Sequence, residues 1–114
     1  ILMFTELYQR TDLCIALRLI PPSQQDYNVK ELYQERGLPE RAQNTCLWPL
    51  MQRPCRTPNQ FYARALAFDL LNTQYKNRDN TEIVSIAHTK GAVVAAGSNR
   101  KSHLAIGVDI EHHS

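Results

Sequence analysis

Asp109 and Glu111 stand two residues apart near the end of the 114-residue sequence. On an extended strand their side chains share a face, with Cα atoms about 6–7 Å apart. Carboxylates that close repel each other unless water or a cation lies between them. A hard cation such as magnesium takes oxygen ligands, keeps several waters and binds through one or two carboxylates plus substrate phosphates. The pair could serve in that way, although acidic residues on the wet face of a strand are common. His88, Thr89 and Lys90 add an imidazole, a hydroxyl and an ammonium in sequence. Together they suit contact with phosphate; singly, each reads as an ordinary strand-end or turn residue. Arg100 and Lys101 fall in the next turn and are not counted with them.

These residues need elements to hold them. After Asn77 the apolar pattern takes a period of two, which predicts strands over Glu82–His88, Ala92–Ala96 and His103–Glu111. Lys90-Gly91 supplies a tight turn, and residues 97–102 a longer polar one. Short connections make the three strands an antiparallel meander. In the last strand Leu104, Ile106, Val108 and Ile110 form the core side, leaving His103, Ala105, Gly107, Asp109 and Glu111 on the other. Upstream, Leu13–Ile20 reads as a mostly buried strand ended by Pro21-Pro22. Ser23 then opens a helix through Arg36, with Val29, Leu32 and Tyr33 on one face and Gly37 as terminator.

Pro39, Pro49 and Pro54 exclude a long helix or central strand between Leu38 and Arg56, and Trp48 and Leu50 are expected to anchor that stretch. The best-signalled helix runs from Pro58 to Lys76. Thr57 caps it, Pro58 fills a first-turn position where the missing N–H costs nothing, and Gln60 completes a capping box. Phe61, Ala65, Phe68, Leu71 and Tyr75 form its core stripe.

Composition excludes several classes. Thirteen Lys and Arg against eleven Asp and Glu give +2, too balanced for nucleic-acid binding by bulk charge. The apolar run from Gly91 to Gly97 is too short to span a bilayer, so no membrane partner is expected. Ile1–Phe4 is followed at once by Glu6 and Arg10, which is no signal-peptide pattern. Cys14, Cys46 and Cys55 are odd in number and lack C-x-x-C spacing. Reduced thiols in a cytoplasmic protein are therefore expected, rather than a disulfide framework or a zinc ribbon. At 43% apolar residues, one domain over 1–114 is expected. The start on Ile1 and the stop soon after a patterned strand suggest part of a longer protein.

The segment Val84-Ser85-Ile86-Ala87-His88-Thr89-Lys90-Gly91, then Ala92–Ala96, then Ile106-Gly107-Val108-Asp109-Ile110-Glu111 resembles the Sfp-type 4′-phosphopantetheinyl transferases. That family carries a strand ending in a Ser-His-Ser-like motif, a hairpin, and a G-[VI]-D-[IV]-E strand. Here the second motif is complete, while Ala87 and Thr89 replace the serines flanking the histidine. The resemblance covers residues 81–111, about a quarter of the chain. It implies an enzyme that binds coenzyme A with magnesium on the pyrophosphate. A serine hydroxyl of an acyl or peptidyl carrier protein attacks the phosphate bearing the pantetheine arm, and adenosine 3′,5′-bisphosphate leaves. It further implies Asp109 and Glu111 as metal-binding acids, and His88, with Thr89 and Lys90, as contacts for the coenzyme A phosphates. Arg64 is a candidate for the basic residue that the family places on the preceding helix.

The family also has a later helix with a W-x-x-K-E-x motif, which supplies a further acid. No such motif occurs in this sequence, since Trp48 is followed by Pro49 with no Lys-Glu downstream. The small holo-acyl-carrier-protein synthases order their motifs differently. The chain thus resembles the N-terminal half of a pseudo-twofold enzyme, with no certain catalytic residue of its own and an incomplete site when isolated. The expected fold is α+β, a three-stranded antiparallel meander joined by the Leu13–Ile20 strand and packed on helices. Self-association through an apolar face that a second half would cover is expected as well. The alternative is a catalytically incomplete module that binds coenzyme A or a carrier protein. A metal site of Asp109, Glu111, His112 and His113 carries little weight, because adjacent histidines on a strand point to opposite faces.

Overall fold

The computed structural model describes residues 6–10, 13–24, 28–29, 31, 37–74, 82–99 and 106–111. Strand β1 (Glu6–Arg10) is followed by β2 (Leu13–Leu19), a 3-10 turn at Pro22–Gln24, and the short helices α1 (Leu38–Arg41) and α2 (Trp48–Met51). The long helix α3 (Pro58–Gln74) precedes the hairpin of β3 (Glu82–Thr89) and β4 (Ala92–Asn99). The four strands form one antiparallel sheet in the order β1-β2-β4-β3, so the fold is α+β.

Alternation along the strands fixes which residues meet α3. Cys14 and Ala16 of β2 and Val93 and Ala95 of β4 are buried in one cluster with the α3 side chains, and Val84 and Ile86 of β3 pack against it. The register sets Ile86 opposite Ala95 and His88 opposite Val93, which puts His88 on the helix-facing side at the end of β3. Arg18 belongs to the same side of β2, its guanidinium carbon 5.0 Å from the centre of the Tyr62 ring.

The capping residues of α3 behave as their types require. The Gln60 N–H donates to Thr57 Oγ1 at 3.3 Å, and Gln60 Oε1 accepts in return from the Arg56 N–H at 2.8 Å, one residue earlier than in the usual box. The stripe on α3, however, is wider than a single face. Every residue from Phe61 to Phe68 is buried, because the sheet covers one side and the 37–54 segment the other. Leu38, Ala42, Leu47 and Met51 supply that second cover, and Arg41 lies over the Phe68 ring at 4.8 Å. These four are the fully buried anchors, whereas Trp48 and Leu50 are only partly buried. Pro39 and Pro49 each sit in the first turn of a four-residue helix, so the prolines do exclude a long one. Tyr75 and Lys76 lie outside the described residues.

Two expectations are corrected. The helix does not open at Ser23, which is within the 3-10 turn; Asn28 is irregular, and Val29 and Glu31 have helical backbone. The rest of the expected 23–36 helix lies outside the described residues. The meander is also different, because the third neighbour is β2 rather than 103–111. One edge of β4 pairs with β3, and β2 occupies the other from Leu13↔Ser98 to Leu19↔Ala92. Residues 106–111 form no strand, and 103–105 lie outside the described residues. The fourth strand of the sheet is β1, paired with β2 from Glu6↔Leu17 to Arg10↔Leu13.

Candidate functional site

His88, Thr89 and Lys90 are held at one corner of the molecule, where β3 turns into β4. Gly91 has φ 81, a conformation open to glycine and strained for an L side chain, and it lets the chain reverse within two residues. The turn is pinned from two sides. Asn59, in the first turn of α3, donates from Nδ2 to the Thr89 carbonyl at 3.1 Å. The Ile20 N–H, just past β2, donates to the Gly91 carbonyl at 2.8 Å. His88 and Lys90 are exposed and Thr89 is half-buried. Imidazole and ammonium thus face solvent from a backbone whose position is fixed by its neighbours.

Asn59 was not legible as a site residue. Its only sequence signal is a side-chain amide near a helix start, where many polar residues occur. Its Oδ1 is buried with no hydrogen-bond partner among the described residues.

Asp109 and Glu111 keep their alternation without a strand. Gly107, Asp109 and Glu111 are exposed, while Ile106, Val108 and Ile110 are half-buried. The two acids are therefore on the wet side of their segment, as the pattern requires. A Cβ added to Gly107 would meet nothing within 4 Å, so packing among the described residues does not demand glycine there.

Arg64 has a different place. Its side chain is 5% exposed. Nη1 donates to the Arg53 carbonyl at 2.7 Å and Nη2 to the Pro54 carbonyl at 3.1 Å. The guanidinium fastens the entry loop of α3 to the helix and does not face solvent, where a phosphate would meet it.

The donor set agrees in kind with magnesium. Two solvent-facing carboxylates match what that ion takes from a protein when substrate phosphates and water complete its shell. Among the described residues, no group of three or more His, Cys, Asp and Glu forms a self-sufficient metal site. Nor is any helix among them long and apolar enough to cross a membrane. Cys14, Cys46 and Cys55 are free thiols. In comparisons with known proteins, no family model matches the chain, and neither a curated protein nor a solved structure matches it.

Proposed function

We propose that this chain provides the coenzyme A and magnesium half of a 4′-phosphopantetheinyl transferase acting on an acyl or peptidyl carrier protein. The observation that carries the reading is the complete Gly107-Val108-Asp109-Ile110-Glu111 motif, with both acids exposed on the same side of their segment. The pinned corner of His88, Thr89 and Lys90 supports it. In this reading Asp109 and Glu111 supply carboxylate oxygens for the metal. His88 and Lys90 donate to phosphate oxygens, while the Thr89 hydroxyl, one residue on along β3, lies on the opposite face of the sheet and stays outside that set. Magnesium, when bound, neutralises the pyrophosphate and stabilises the leaving bisphosphate. Arg64 stays outside this set because its guanidinium is already engaged with two carbonyls.

The second reading is a module that binds coenzyme A or a carrier protein without transfer. It is favoured by the same corner, whose exposed imidazole and ammonium suit anion contacts whether or not transfer follows.

Titration calorimetry of coenzyme A into the chain, with and without magnesium, tests the shared premise. We expect magnesium-dependent binding that is lost in Asp109→Ala/Glu111→Ala and weakened in His88→Ala. Binding of equal strength with and without magnesium would remove the metal role of the acids. A wild-type chain that binds no coenzyme A under either condition would count against both coenzyme A readings.

A further inference from the structure

Among the described residues, the outer strands of the sheet are β1 and β3. Among the described residues, the exposed large apolar side chains are Leu7 at 38%, Tyr8 at 54% and Leu19 at 57%, and the first two lie on β1. The corresponding residues of β3, Ile83 to Ala87, are all half-buried. Beside Tyr8 an open, mainly apolar groove is lined by Glu6, Leu7, Tyr8, Ile15, Leu17 and Val94. Natural edge strands are usually protected by a central charge, a proline or a bulge. The five residues Glu-Leu-Tyr-Gln-Arg place their charges only at the two ends.

Those ends are complementary under a twofold rotation. If β1 pairs antiparallel with β1 of a second copy about an axis through Tyr8, then Tyr8 meets Tyr8, Leu7 meets Gln9, and Glu6 meets Arg10 at both ends. Opposite charges directly across an antiparallel pair are favourable, and so is an aromatic pair. The contact closes on itself, since the Leu7–Gln9 and Glu6–Arg10 pairs each occur twice and Tyr8 meets its own copy on the axis.

We propose that a second copy of this chain docks on the outer edge of β1 in this register and joins two sheets into one. The proposal does not rest on the coenzyme A reading. Five paired residues bury less than the roughly 1,200 Å² of total surface at which standard interfaces begin. The dimer is therefore weak, filling at high micromolar concentration.

Sedimentation velocity from micromolar to near-millimolar protein tests it, with hydrogen exchange at β2 and β4 as a check that each variant is folded. Glu6→Arg sets arginine against arginine at both ends and should raise the dimer dissociation constant about tenfold. Glu6→Arg/Arg10→Glu exchanges the charges and should restore it. Tyr8→Lys, which puts two ammonium groups at the axis, should leave only monomer. Leu19→Lys, on the open sheet face beyond the paired residues, should leave the dimer intact. A wild-type chain that stays monomeric at the highest concentration overturns the proposal. So does a dimer broken by Leu19→Lys but not by Tyr8→Lys, or one that the double exchange fails to restore.

Discussion

The two halves of the candidate site are supported in opposite ways. The His88–Lys90 corner ends a strand with a complete ladder and is tied to α3 through Asn59 and to the end of β2 through Ile20. The Asp109–Glu111 segment has no ladder, and its apolar residues are only half-buried. Basic, solvent-facing side chains thus stand on a backbone that the fold fixes in advance. The acidic pair lies on an irregular segment whose exposure alternates residue by residue. That contrast suits a site in which phosphate docks on a prepared corner and the carboxylates gain their geometry from the cation they share. Arranging groups on binding lowers affinity, whereas groups already in place add no such cost.

Equivalent truncations in the two regions should separate them most strongly. Leu66, fully buried in α3, should lose about 3–5 kcal/mol of stability as Leu66→Ala. Ile110→Ala, in the half-buried segment, should lose less than about 1.5 kcal/mol. Urea denaturation of both variants checks this, and similar losses would mean that 106–111 belongs to the core.

Arg64→Ala comes next. It leaves the Arg53 and Pro54 carbonyls without their charged donor and should cost roughly 2–3 kcal/mol in the same assay. With the fold still populated, coenzyme A affinity should be unchanged. A selective loss of affinity would return Arg64 to the binding set.

The smallest effect belongs to the pin on the corner. Asn59→Ala removes one side-chain bond to the Thr89 carbonyl and should cost about 1 kcal/mol. It should also lower coenzyme A affinity a few-fold while leaving the magnesium dependence as it was. A changed magnesium dependence would show that corner and acids are coupled through the fold itself.

Local chemistry was the readable part of this fold. The Thr57–Gln60 cap, the Lys90-Gly91 reversal and the prolines of 38–56 act through neighbours in sequence, and each appears where its residue types put it. Strand β1 gave no such signal. Glu6 to Gln9 are all exposed, so no buried face exists for a period to record. The His103–Glu111 pattern was strong, yet alternation states only which residues would share a face. Whether an edge is open to receive them depends on pairing with β2, some eighty residues away in the chain. The width of the buried surface on α3 was hidden for a similar reason, since the 37–54 segment that covers its second side has no periodicity. Of the candidate site, Asp109, Glu111, His88 and Lys90 have the exposure that binding requires, and Arg64 does not.

The central claim is that corner and acids serve one ligand. Paramagnetic broadening tests it directly, with manganese in place of magnesium and coenzyme A present, observed at the His88 imidazole and at the amides of 106–111. We expect both sets of signals to broaden together, and only when coenzyme A is present. Broadening confined to 106–111, with His88 sharp, would show that the cation and the histidine belong to different sites.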